Sequence, residues 1–293
     1  MARAIASIIA ASLALLAVAL VATLPALAAQ EIPDGQMPAV DDSGALYRSV
    51  TVVTGTRIET RLPGFAETLG DVLAKVTGDM TIGHESGFAR AARTAQDLVL
   101  RFSYRDRLAG KPVHDEQGTH DRPHFLTVDF DPAKVNALAL KLGRKPWPLP
   151  RPRVLLLVAV ENIKNAFILT RDGAIDRSAD MREAVAAAAA KAALPPVVLP
   201  TAADIAARGW TVKTLDAVKP AGAEALARAD GAGAAVAGRI VFSEKALGWI
   251  VRWRMAYAGK AYRWATRGVN FDAAFRHALA GAAQVMAGRG APK

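Results

Sequence analysis

Val154-Leu155-Leu156-Leu157-Val158-Ala159-Val160 is an unbroken apolar run between Arg153 and Glu161. It is too short to span a membrane and has the character of a strand buried on both faces. Downstream, residues 165–170 read as a short strand. Asp180 and Glu183 stand three apart at the start of an Ala-rich helix reaching Ala193, in the manner of a capping box. Residues 196–199 read as a short apolar strand, Thr201 as the cap of a helix to Arg208, and 223–229 as another helix. Residues 234–242 return to strand. Segments 248–258 and 260–266 form a hairpin around Gly259, with Trp249, Val251, Trp253, Met255 and Tyr257 on one face. Asn270 caps a last helix carrying Phe271, Phe275, Ala278, Ala282 and Val285 at helical spacing.

Upstream of the run, Lys145-Pro146-Trp147-Pro148-Leu149-Pro150-Arg151-Pro152 is no helix and a poor strand interior, because proline lacks a donor and restricts its neighbour. A module boundary belongs here, with Trp147 packed against one side. Before it, 46–54 reads as a Val/Thr-rich strand. Leu62, Phe65, Ala66, Leu69, Val72, Leu73 and Val76 make the clearest helical stripe, stopped at Gly78, with Pro63 marking its start or a kink. A shorter helix covers 88–96. Strands follow at 97–105 and 125–130, and Asp131-Pro132 opens a helix ended by Gly143. The expected fold is α+β or α/β: two mixed-sheet modules with helices packed on the sheets. Its divisions are a signal at 1–28, a flexible leader at 29–44, a first module at 45–145, a Pro-rich linker at 146–153 and a second module at 154–288.

The first residues bear on location. Arg3 precedes an apolar run to about Leu24, then Pro25 and Ala26-Leu27-Ala28-Ala29. That is the layout of a secretory signal cut after Ala28, which predicts a periplasmic protein. The alternative is an uncut membrane anchor, for which about 20 apolar residues suffice. With no later apolar stretch of that length, the mature chain is expected to be soluble. The absence of cysteine excludes disulfides, thiolate metal sites and a cysteine nucleophile, and no lipid-bearing cysteine follows the leader. The formal charge of +10 draws an exported protein toward anionic envelope surfaces. Export argues against nucleic acid as the partner.

Several segments in order resemble one exported proteobacterial family, domain of unknown function 2066. They are Leu46-Tyr47, Leu73-Ala74-Lys75-Val76-Thr77-Gly78, Leu126-Thr127-Val128-Asp129-Phe130-Asp131, Trp147, Arg151-Pro152-Arg153-Val154-Leu155, residues 196–201, Gly238-Arg239-Ile240 and residues 249–253. The Ala-rich helix and the residues before Trp147 depart from it. The resemblance implies an exported protein and brings no activity. In element order the second half is similar to the amino-terminal domain of TolB and to the periplasmic domain of the curli-secretion protein, which serve envelope assemblies by binding.

Chemistry-bearing residues concentrate in three places. Residues 114–124 hold His114, His120 and His124 with three carboxylates, a set able to take a divalent metal weakly, although the spacing matches no helical ligand pair and suits a solvated loop between strands. His84-Glu85-Ser86 pairs a base, an acid and a hydroxyl without the surroundings of a nucleophile elbow. The glycines of 231–238 follow a helix and precede a strand, the reverse of a dinucleotide loop. The hairpin interleaves aromatics with Arg252, Arg254, Lys260, Arg263 and Arg267, a composition that binds anionic surfaces, or else an amphipathic hairpin with tryptophans inside and arginines in water. The leading expectation is a non-enzymatic binding or assembly module of the envelope, without cofactor, whose partner is an envelope protein or an anionic surface. A metal-dependent hydrolase using the histidine loop and an anionic-lipid-binding protein are the alternatives. Partner identity and oligomeric state are not legible.

Overall fold

The computed structural model describes residues 29–110, 121–175 and 177–292. The predicted signal at 1–28, with its cut after Ala28, lies outside them. The described residues form two mixed sheets, of four and five strands, with helices packed on both, so the chain is α+β. No helix among them is long and apolar enough to cross a membrane.

The first sheet draws on strands β1 (Gln30–Glu31), β2 (Arg48–Thr54), β3 (Val99–Asp106) and β4 (Pro123–Phe130), in the order β1-β3-β4-β2. Helices α1 (Asp42–Ala45), α2 (Ile58–Thr77), α3 (Ser86–Ala92) and α4 (Pro132–Lys141) accompany it. The stretch 29–44, read as a flexible leader, thus contains β1, which lies parallel to β3 with Glu31 opposite Phe102. The apolar stripe of α2 (Phe65, Leu69, Val72, Leu73, Val76) is buried against Phe102, Leu126, Val128 and Phe130, which alternate toward it from β3 and β4. Alternation on the strands and a three-to-four repeat on the helix are what bring these residues to one core. Helix α2 begins at Ile58, ahead of Pro63, so the proline sits inside it and removes one helical bond. Gly78 ends the helix at φ 69° and donates to Ala74 O at 2.8 Å. A Cβ there would lie 2.4 Å from Ala287 Cβ, so glycine is required for space as well as backbone hand. Asp131 caps α4 as expected, accepting from the Ala133 and Lys134 amides at 2.8 and 3.1 Å.

The second sheet has the order β6-β5-β7-β8-β9, from β5 (Val154–Glu161), β6 (Ala166–Ile168), β7 (Ala234–Ser243), β8 (Gly248–Tyr257) and β9 (Lys260–Val269). Its helices are α5 (Ser178–Lys191), α6 (Ala202–Ala207), α7 (Val212–Ala217), α8 (Pro220–Ala229) and α9 (Phe271–Met286). The apolar run of β5 is buried on both faces. Val154, Leu156, Val158 and Val160 join a core with α5 and α9, while Leu155, Leu157 and Ala159 join another with Leu215, Ala223 and Ala227 from α7 and α8. Parallel pairing of β5 with β7 follows from the helical crossover between them.

Two local expectations are corrected, and one helix is added. Helix α5 starts at Ser178 with Arg177 at φ 56° as its unassisted cap. Asp180 pairs with the Arg177 guanidinium at 3.3 Å, so no capping box forms with Glu183. Residues 196–199 supply only a single bridge, Val198 to Leu155, because Pro195 and Pro196 withhold amide donors from a longer ladder. Helix α7, passed over in the sequence, is closed by a reciprocal cap between Thr211 and Thr214.

The two sheets meet around the Pro-rich segment. The Trp147 amide donates to Val76 O at 2.7 Å. Arg151, only 4% exposed, stacks on the Trp147 ring at 4.2 Å and donates to Lys75 O at 2.6 Å and Ala193 O at 2.9 Å. Burial pulls its guanidinium down to about 10. Lys75 is buried next to it, donating to Ala45 O at 2.9 Å and also to Arg48 O, and burial pulls its ammonium down to about 8.

Candidate functional site

The hairpin of β8 and β9 is turned by Ala258 and Gly259, both at positive φ, 50° and 75°. A two-residue turn of that kind sets the register. Tyr257 faces Lys260, Trp253 faces Trp264 and Arg254 faces Arg263. Even-numbered residues of β8 therefore share a face with odd-numbered residues of β9. The inward face carries Trp249, Val251, Trp253, Met255 and Trp264 against α9. Gly238 of β7 lies opposite Trp253, and a Cβ there would sit 2.0 Å from the indole Cε3. Gly281 of α9 makes the matching room for Trp264, whose Nε1 donates to His277 O at 3.1 Å.

The outward face carries arginines. Arg252, Arg263 and Arg267 are exposed, and Arg254 and Arg239 are half-buried beside them. Arg239 is the cross-strand partner of Arg252, and Arg254 that of Arg263. Like charges directly opposite in an antiparallel pair are destabilising, so this arrangement costs stability in the absence of an anion. Arg239 is paired with Glu161 at 2.6 Å, and Arg254 donates to Leu215 O at 2.7 Å. Among the described residues no carboxylate lies within ion-pair distance of Arg252, Arg263 or Arg267. Helices α7 and α8 cover the β5–β7 part of this side of the sheet, leaving a depression of about 480 Å³ bordered by Arg252, Arg254, Arg263 and Ala265.

Of the five cations singled out in the sequence, Arg252, Arg254, Arg263 and Arg267 come together, but Lys260 does not. It opposes Tyr257, on the inward parity at the hairpin tip. Arg239 of β7 completes the face in its place. The histidine set is only partly described. His124 lies in β4, its Nδ1 2.8 Å from Arg122 O and its ring edge-on to Tyr104. His114 and His120 lie outside the described residues. Among the described residues no three of His, Asp and Glu gather as a metal would need. Glu85 of the His84-Glu85-Ser86 segment is held by Arg144, which also binds Asp79 at 2.7 Å, so this carboxylate has a structural partner. The glycines of 231–238 serve a turn and the Trp253 contact, with Gly233 donating to Arg153 O at 2.9 Å.

A second concavity was not visible in the sequence. In the first sheet's unit, α2, α3, α4 and the β3 edge enclose a cleft of about 1250 Å³ with Arg61, Arg90, Lys134 and Lys141 in its lining. These cations come from three helices separated in sequence, and none belongs to a motif.

The folded chain is thus a two-sheet α+β protein with a cationic sheet face and a separate lined cleft. In sequence, residues 42–148 are similar to a family described as Domain of unknown function (DUF8605), a match that ends inside the Pro-rich segment. This corrects the resemblance to domain of unknown function 2066, which is a different family. No curated protein and no solved structure matches the chain.

Proposed function

We propose that this chain is an exported, non-enzymatic binding protein that engages a phosphate-bearing anionic lipid surface of the bacterial envelope through the outward face of β7, β8 and β9. The observation that carries the reading is the cross-strand placement of arginines, Arg239 opposite Arg252 and Arg254 opposite Arg263, on a face where Arg252, Arg263 and Arg267 are exposed. A sheet tolerates such pairs at a cost that a bound anion offsets. Arginine suits this use, since its fork of donors matches phosphate oxygens. The Trp face beneath is committed to the core, so the reading needs the arginines and not the aromatics.

The test is sedimentation of the purified protein with vesicles of phosphatidylglycerol and phosphatidylcholine, or of phosphatidylcholine alone. Binding is expected only to the anionic vesicles and to weaken with salt. Arg252→Glu with Arg263→Glu, both exposed, should lower the partition coefficient by about 30-fold or more, at about 1 kcal/mol per cation near the surface. Equal sedimentation of the variant at low salt would remove the proposal.

A further inference from the structure

The cleft of the first unit has a different chemistry from the arginine face. Its floor is apolar: Phe65 and Phe102 are buried in its wall, and Leu98, Leu138 and Leu142 are half-buried around it. Its rim is cationic. Arg90, Lys134 and Lys141 are exposed there, and Asp97 is the carboxylate in the lining. Arg61 lies over the Phe102 ring at 4.9 Å and pairs with Glu31 at 3.6 Å, which fixes one end of the cleft. Lys134 donates to Asp97 O at 2.7 Å, so α4 is tied across to the segment leading into β3.

Ligand pockets are concave and largely apolar, with a few polar groups that fix orientation, and commonly measure about 300–1,000 Å³. An apolar floor with a rim where cations outnumber the one lining carboxylate selects a molecule divided the same way. A neutral hydrocarbon leaves the cations unused, and a small anion leaves the floor wet. We infer that this cleft binds one molecule of a single-chain amphiphile with an anionic head, the chain lying over Phe65, Phe102 and Leu138 and the head meeting Arg90, Lys134 and Lys141. The ligand is a discrete molecule in the first unit, whereas the surface proposed above is engaged by the second.

Calorimetric titration of the purified protein with dodecanoate and with dodecyl phosphate, each below its micelle concentration, tests this and separates the two head groups. Saturable 1:1 binding of at least one of them is expected, with dodecanol and acetate each at least tenfold weaker. Ala137→Trp, at an exposed position of α4 lining the cleft, should abolish binding while leaving the unfolding midpoint near that of the parent protein. Arg90→Glu with Lys141→Glu should weaken the anionic ligands at least tenfold and leave dodecanol unchanged. Arg252→Glu with Arg263→Glu should leave dodecanoate binding as it was, so failure here is distinct from failure of the surface reading. No saturable binding of either anion, or equal affinity in the charge-reversed variant, would overturn the inference.

Discussion

Replacing Gly238 by alanine adds one methyl group where the structure has no room for it. The new Cβ would stand 2.0 Å from Cε3 and 2.1 Å from Cζ3 of Trp253, and 3.1 Å from Arg252 O. Carbon atoms in contact sit about 3.5–4.0 Å apart, so the indole or the strand must yield by roughly 1.5 Å. Trp253 is 2% exposed and packed in the core shared with α5 and α9, which leaves it nowhere to go. Overpacking of this kind costs about 1–3 kcal/mol. The higher strand propensity of alanine returns less than about 1 kcal/mol. Gly238→Ala should therefore destabilise the protein by about 2 kcal/mol, read as a lower urea midpoint at unchanged slope in far-ultraviolet circular dichroism. Trp253→Leu is destabilising in itself, yet combining it with Gly238→Ala should cost less than the two separately, by about 1–3 kcal/mol. A Gly238→Ala protein that unfolds at the parent midpoint, or strict additivity in the double variant, would refute the packing argument.

The ammonium of Lys75, drawn down to about 8 by burial from an ordinary 10.5, makes folding release a proton between those values. The unfolded chain then holds more protons than the folded one, so the contribution of Lys75 to stability rises as pH increases from 8 to 10.5, by up to about 3 kcal/mol. Lys75→Met should flatten that rise, and urea midpoints of both proteins across pH 7–10 that run parallel would contradict it. Arg151→Lys should cost at least about 2 kcal/mol, because a lysine cannot serve Lys75 O, Ala193 O and the Trp147 ring together. Thermal unfolding at the parent temperature would count against that role. Asp131→Ala should remove the two hydrogen bonds that its carboxylate accepts from the Ala133 and Lys134 amides at the start of α4, and with them about 1 kcal/mol, measurable by the same denaturant titration.

Much of the fold was legible wherever one local rule sufficed. The apolar run of β5, the stripe of α2, the Asp131-Pro132 start and the hairpin at Gly259 each follow from period, cap or turn chemistry. Errors arose where two rules competed. Pro63 suggested a start or a kink, and burial of the α2 stripe holds the helix through it. Asp180 and Glu183 have capping spacing, yet the chain enters α5 through the left-handed Arg177. The placement of Lys260 was decidable from sequence, since a two-residue turn inverts parity between the strands and puts Lys260 with Tyr257, not with Arg252 and Arg254. The cleft was not decidable. Its cations sit on α2, α3 and α4, and their convergence depends on how three helices pack, which no spacing records.

Strand β1 has only two residues, Gln30 and Glu31, followed by the Ile32 amide donating to Phe102 O at 2.8 Å. Ala29, one residue ahead of this pairing, borders the cleft. This short segment therefore works as a clasp, holding the stretch ahead of α1 along the β3 margin at one end of the cleft.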